Sequence, residues 1–151
     1  MDVDSAHILA HVAGILSALR IAYESGYLTT VTDLIHADVF SDFVDMADHL
    51  LSDGYKDAAA VIIGSTLEEY LHKLCVKNGL STSTGGKPKK ADTLNAELTG
   101  QSVYSKLDQK SITAWLDVRN KAAHGKYGEY SKEQIGLLIQ GVRDFIARVP
   151  A

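Results

Sequence analysis

The sequence predicts an all-α fold, an up-and-down bundle of four to five long helices with one short helix added. Three observations carry this. Apolar residues recur at helical spacing along almost all of the 151 residues, and no segment shows the alternation of a strand. Only two prolines occur, Pro88 and Pro150, so long helices are free to form elsewhere. The links between the periodic segments are mostly short, which favours antiparallel neighbours. The length suits one domain over 1–151, and 46% hydrophobic content can fill its core.

The elements follow in order. Ile8, Val12, Ile15, Leu16, Leu19 and Tyr23 form one stripe, predicting a first helix from about Ser5 to Ser25, stopped by Gly26. Leu34, Ile35, Phe40, Phe43, Val44, Ala47, Leu50 and Leu51 mark a second helix, with Asp33, Asp38, Asp42, Asp45 and Asp48 on its outer positions. Its stripe is least regular from His36 to Val39, where a break is expected. Asp53-Gly54 ends it.

The third helix spans Lys56 to Lys77, with Ala59, Ile63, Leu67, Tyr70, Leu71 and Leu74 facing inward. Asn78-Gly79 closes it and Leu80 is placed to fold back on its last turn. Gly64, inside this helix, costs about 1 kcal/mol relative to alanine. Close approach of another helix or of a ligand would offset that cost.

Residues 81–91 begin Ser-Thr-Ser-Thr-Gly-Gly-Lys-Pro-Lys-Lys and read as a mobile loop. Lys87, Lys89 and Lys90 there could meet phosphates, although a solvated loop is the preferred reading. Ala91 to Leu98 suits a short helix. Leu107, Ile112, Trp115, Leu116, Arg119 and Ala122 mark another long helix, closed by Gly125. The last helix has the strongest start signal. Ser131 and Gln134 have capping-box spacing, and Tyr130 and Ile135 can form a hydrophobic staple around them. Ile135, Leu138, Ile139, Val142, Phe145, Ile146 and Val149 continue its apolar face.

Charge and cysteine content narrow the function classes. The formal net charge of -4 argues against a protein that coats nucleic acid broadly. The charge is uneven: residues 1–50 hold eight acidic and one basic residue, and residues 51–151 hold eleven acidic and fourteen basic. An anionic ligand would therefore favour the C-terminal two-thirds. Cys75 is the only cysteine, which excludes an intrachain disulfide and a cysteine-built metal site. The N-terminus lacks a basic start, and the most apolar stretch, Ala58 to Gly64, is too short to span a bilayer. A cytoplasmic protein with no membrane association is expected.

The sharpest chemical feature is Arg119-Asn120-Lys121-Ala122-Ala123-His124-Gly125. Arginine carries a permanent charge on a planar fork suited to phosphate oxygens. Histidine can move protons near neutral pH. Together they could cleave RNA without a metal. His124 would deprotonate a ribose 2′-OH or protonate the leaving 5′-oxygen, and Arg119 would stabilise charge on the phosphoryl group. Geometry restricts the idea. Five helical residues turn roughly a net 140° and rise about 7.5 Å, so Arg119 and His124 do not share a face of an ideal helix, whereas Asn120 and His124 do. The site then needs a loosened helix end at Gly125 or an arginine from a second subunit.

Arg119 to His124 resembles the signature of the HEPN domains, in which an arginine and a polar residue precede a histidine by four to six intervening positions. The setting is similar too, at the end of a late helix followed by one more amphipathic helix. Ile112 through Phe145 resembles prokaryotic HEPN-like families, including Tyr127-Gly128-Glu129-Tyr130-Ser131, and so does Ala59 to Leu71 in the third helix. The resemblance covers about residues 55–148; the first two helices carry no matching motif. It implies a helical bundle that forms a homodimer around a shared cleft. It also implies a metal-independent endoribonuclease of toxin–antitoxin, phage-defence or CRISPR settings, with an antitoxin or a neighbouring defence protein as partner. Arg119 and His124 would be the catalytic pair, with Asn120 orienting the histidine or the phosphate. Tyr127, Lys121 and Lys126 would contact the RNA, and Glu68 and Glu69 would stand behind the site. No metal and no cofactor is expected. The alternative it allows is a non-catalytic dimerisation, nucleotide-binding or partner-binding module.

Weaker candidates lie outside the motif. His7 and His11 stand four apart and could share a metal, but no glutamate completes the usual zinc pattern. Asp42, Asp45 and Asp48 lack the glycine and alternation of a calcium loop. Polar helix faces explain both sets.

Overall fold

The structure is a computed structural model. It describes the backbone of residues 3–24 and 26–151, and the side chains of 5–24, 26, 35 and 38–151. The side chains of Asp33, Leu34 and His36, and the helix end expected at Ser25, lie outside the described residues. Among the described residues, six α-helices and almost no strand make an all-α helical bundle. Contacts cluster into two units, residues 1–36 and 37–151, where the sequence reads as one domain.

The first unit holds α1 (Val3–Glu24) and the start of α2 (Tyr27–Ser52). The helical period expected for α1 is present, but its stripe does not form a core. Ile8, Val12, Ile15, Leu16, Leu19 and Tyr23 are all exposed, Tyr23 by 76%. Besides Ala58 to Gly64, which is too short to span a bilayer, a longer apolar segment lies in α1. Ser5–Glu24 is 20 residues long and contains an 18-residue stretch of mean hydropathy 1.4, long and apolar enough by length and composition to cross a membrane. Single polar residues, His7, His11, Ser17 and Arg20, interrupt the run without lowering the average below that of a span.

The backbone of α2 stays helical through residues 36–39, where a break was expected, and the boundary between the units falls there. From Ala37 onward α2 belongs to the second unit. That unit adds α3 (Lys56–Lys77), β1 (Ser83–Thr84), β2 (Lys87–Pro88), α4 (Ala91–Gly100), α5 (Lys106–Ala123), a 3-10 turn (Tyr127–Glu129) and α6 (Lys132–Arg148).

Polar ties fix the helix directions. Lys56 and Asp57, at the start of α3, reach Tyr127 and Tyr130 just before α6. At the other end the Tyr70 hydroxyl donates to the Val149 carbonyl at 2.6 Å and accepts from the Ala151 N–H at 2.9 Å. So α3 and α6 run the same way. Arg148 at the end of α6 meets Asp108 at the start of α5 at 2.8 Å, so α5 runs oppositely. Arg143 of α6 meets Asp45 of α2 at 2.7 Å, and Gly136 lies against Leu51, so α2 is also antiparallel to α6. Helices α2, α3, α5 and α6 alternate up and down, and α4 is inserted between α3 and α5.

Helix α3 is the centre. Its buried side chains run from Ala59 to Cys75, because it touches α4, α5 and α6 at once. Tyr70 packs edge-on against Phe40 of α2, with ring centres 4.9 Å apart, and also against Phe145 of α6. Of the stripe expected on α2, Phe40, Val44, Ala47 and Leu51 are buried while Ile35 and Phe43 are exposed. The spacing of the buried four matches one helix face.

The capping box at Ser131 forms as expected. The Gln134 N–H donates to Ser131 Oγ at 3.2 Å, and the Ser131 N–H donates to Gln134 Oε1 at 2.8 Å. Helix α5 carries a second box, Ser105 with Asp108, that the sequence reading passed over. Residues 81–91 depart from expectation. Within the stretch expected as a loop, residues 83–88 form a short antiparallel hairpin, with Ser83 opposite Pro88 and Thr84 opposite Lys87, turning at Gly85-Gly86. Two adjacent glycines are strong hairpin-turn residues, a signal outweighed in the sequence by low complexity.

Candidate functional site

The motif occupies the last turn of α5 and the residue beyond it. His124 caps the helix, its N–H donating to the Asn120 carbonyl at 3.0 Å. Gly125 follows at φ +72°, a conformation that costs glycine little. The Gly125 N–H then returns to Ala122 at 3.2 Å and the Lys126 N–H to Lys121 at 2.9 Å. These two bonds satisfy the end of the helix and turn the chain sharply away.

Arg119 is placed by α3. Its Cβ and Cγ lie directly over Gly64, where any side chain would overlap them. This answers why a glycine sits inside α3: the close approach belongs to α5. One turn further along α3, Glu68 Oε2 meets Arg119 Nη2 at 2.8 Å. Arg119 Nη1 also donates to Asn120 Oδ1 at 3.4 Å. Burial pushes the Glu68 carboxyl above its ordinary range. The Arg119 guanidinium opposes that shift and the nearby Asp92 adds to it.

These groups surround one cleft of about 440 Å³. Helix α5 supplies Leu116, Arg119, Asn120 and His124; α3 supplies Glu68; the start of α4 supplies Lys90, Ala91 and Asp92. Arg119 and His124 thus reach the same space within a single chain. Ideal-helix geometry separates them, but the long arginine stem crosses α3 and His124 sits where the helix ends. A neighbouring cleft of about 300 Å³ shares Glu68, Lys90 and Ala91, and adds Ser65, Glu69, His72, Lys89 and Leu94.

Helix α4 is held in register beside this site by a buried amide. Asn95 Nδ2 donates to the Gln109 carbonyl at 3.0 Å and to Thr113 Oγ1 at 3.2 Å, while the Tyr104 hydroxyl donates to Asn95 Oδ1 at 2.7 Å. That network fixes α4 to α5 and so sets Lys90 and Asp92 opposite the motif.

The remaining expected residues are dispersed. Glu69 lines the neighbouring cleft but not the one at Arg119, and lies 3.9 Å from Lys73. Lys121 is not among the residues lining either cleft; it pairs with Asp117 at 2.9 Å and Glu129 at 3.9 Å. Lys126 and Tyr127 are exposed on the turn after His124 and line neither cleft. Lys89 is largely covered and reaches both oxygens of Glu97 at 2.8 Å. Lys90 is the lysine of that stretch that faces the motif.

The turn is anchored from below by residues the sequence reading missed. Lys56 Nζ donates to the carbonyls of Tyr127 and Tyr130 and stands 4.5 Å from the Tyr130 ring centre. The Tyr130 hydroxyl donates to Asp57 Oδ1 at 2.7 Å, and burial and that carboxylate hold the phenol well above its usual range. No local pattern links Lys56-Asp57 to a turn seventy residues away. Lys90 and Asp92 were likewise legible only as a loop lysine and a helix-start aspartate.

His7 and His11 are exposed on α1, and among the described residues no group of three or more metal-ligating side chains converges. Asp45 and Asp48 form the acidic face expected of them and meet Arg143 of α6. The cleft at Arg119 brings together a guanidinium, an imidazole, a carboxamide, an ammonium and carboxylates. Such a set can bind a phosphate and move protons to and from oxygen. No family model, curated protein or solved structure matches the chain. The likeness to HEPN domains therefore rests on the motif and its helical setting.

Proposed function

We propose that this chain is a metal-independent endoribonuclease of the HEPN type. The observation that carries the reading is that Arg119, Asn120 and His124 line one cleft. His124 serves as a general acid or base, and Arg119 stabilises charge on the phosphoryl group in the transition state. Asn120, bonded to Arg119, helps orient the phosphate-binding groups. Phosphodiester cleavage at a ribose needs no metal, because the 2′-OH supplies the nucleophile. The substrate is RNA, the setting a toxin or defence system of the cytoplasm. A homodimer would place two such clefts along one substrate, and an antitoxin or neighbouring defence protein would restrain them.

The test is incubation of the purified chain with mixed RNA in EDTA, beside His124→Ala and Arg119→Ala. Cleavage by the wild type that both substitutions abolish supports the proposal. Absence of cleavage by the wild type at high enzyme concentration rejects it.

A second reading is a non-catalytic module that binds a nucleotide or a protein partner. Two observations favour it: Arg119 is already engaged by Glu68, and α1 presents an exposed apolar surface. Binding of a mononucleotide without RNA cleavage would select this reading over the first.

A further inference from the structure

Cleavage of RNA through its own 2′-OH moves two protons. One leaves the 2′-oxygen and another joins the 5′-oxygen as the phosphorus bond breaks. A single histidine can serve one of those oxygens at a time, so an efficient site holds a second proton carrier. We propose that Glu68 is that carrier: its carboxylate takes the 2′-OH proton while the His124 imidazolium protonates the departing 5′-oxygen. The inference rests on the ribonuclease reading and assigns a catalytic role to a residue of α3.

The step balances. The 2′-oxygen bonds to phosphorus, the bond from phosphorus to the 5′-oxygen breaks, and the products are a 2′,3′-cyclic phosphate and a 5′-hydroxyl. The proton gained by Glu68 equals the one lost by His124, and hydrolysis or solvent exchange resets both.

Placement supports the assignment. Glu68 and His124 come from different helices and line the same cleft, which is also lined by Arg119, the ion-pair partner of Glu68. Arg119 uses Nη2 on Glu68 and has further N–H donors for a phosphate oxygen. One guanidinium can then hold the base beside the phosphate it serves. Glu68 is about one-third exposed, open enough to meet a ligand and covered enough to be a stronger base than a fully solvated carboxylate. Arg119, Asn120 and His124 of α5, and Lys90 and Asp92 at the start of α4, surround it; Glu69 and His72 flank the adjoining cleft on its own helix. Arg119 pulls its proton affinity down, and burial and Asp92 push it up.

The experiment uses the full chain and a pool of random-sequence, single-stranded RNA 20-mers in EDTA. Wild type, His124→Ala, Glu68→Gln and Glu68→Asp are compared across about pH 4 to 9. The wild-type rate should rise with pH as Glu68 ionises. Glu68→Gln should lower kcat about 10²- to 10³-fold without raising KM, and the acidic limb should vanish. Glu68→Asp should keep that limb at a reduced rate, which also covers the case in which the glutamine variant does not fold. A Glu68→Gln enzyme with wild-type kcat, or one slowed with its acidic limb intact, overturns the assignment and leaves the ribonuclease reading standing. No cleavage by the wild type overturns both.

Discussion

The aliphatic stem of Arg119 lies across Gly64, with the α5 side chain occupying the space where α3 would otherwise carry a Cβ. Position 64 therefore decides where the guanidinium points. Glycine in a helix is unfavourable by about 1 kcal/mol, so Gly64→Ala has a propensity gain to set against the clash. The clash is with Cβ and Cγ, which cannot swing aside as a flexible tip can. Overpacking of this kind costs about 1–3 kcal/mol. Gly64→Ala should lower stability by a net of about 1 kcal/mol in urea melts. A variant more stable than wild type would show that α3 and α5 separate more easily than the packing implies.

The Tyr130–Asp57 bond at 2.7 Å joins the turn after His124 to the start of α3. Tyr130→Phe keeps the buried ring and removes the bond, which should cost about 1 kcal/mol. Its local effect should be larger. Amide exchange at Gly125 to Ser131 should speed up more than exchange in the middle of α6. Equal acceleration throughout would mean that this turn opens only when the whole unit unfolds.

Asp108 makes stability depend on acid. Its hydrogen bond from Arg148 holds the carboxyl below the usual range, aided by Ser105 and opposed by burial. A carboxyl that is depressed when folded contributes stability above its unfolded pKa, and that stability is lost as pH falls through its folded pKa. Arg148 is half exposed, so solvent limits the gain to roughly 1 kcal/mol. Asp108→Asn should be less stable than wild type near neutral pH, and the gap should close in strong acid. A gap independent of pH would assign the loss to the Ser105 cap alone.

The exposed stripe of α1 predicts tolerance. Ile15 and Leu16 are 51% and 61% exposed, so replacing both by serine removes little buried area. The unfolding free energy of residues 37–151 from urea melts should stay within about 0.5 kcal/mol of wild type. A larger loss would mean that this face is covered in solution.

How much was legible follows from what kind of interaction holds each part. The extents of α3 and α6 could be read because periodicity, caps and terminal glycines are local signals. The capping box at Ser131 joins residues three apart, so the sequence contains the whole of it. The α1 stripe shows the limit: its period is correct, but period reports a helix and not what the helix packs against. The hairpin at Ser83–Pro88 was hidden because polar composition there outweighed the Gly-Gly turn signal.

The sequence by itself determined the helical class, the extents of α3 and α6 and the chemistry available at Arg119, Asn120 and His124, all of which depend on neighbours within one or two turns. Only the tertiary structure decided that Gly64 admits the arginine stem, that Glu68 meets its guanidinium, and that Lys90 and Asp92 close the cleft. It also set Lys121, Lys126 and Tyr127 outside that lining. The physical reason is that backbone hydrogen bonding and capping are short-range along the chain. A cleft is made by side chains from separate helices, and their meeting depends on packing that no single segment encodes.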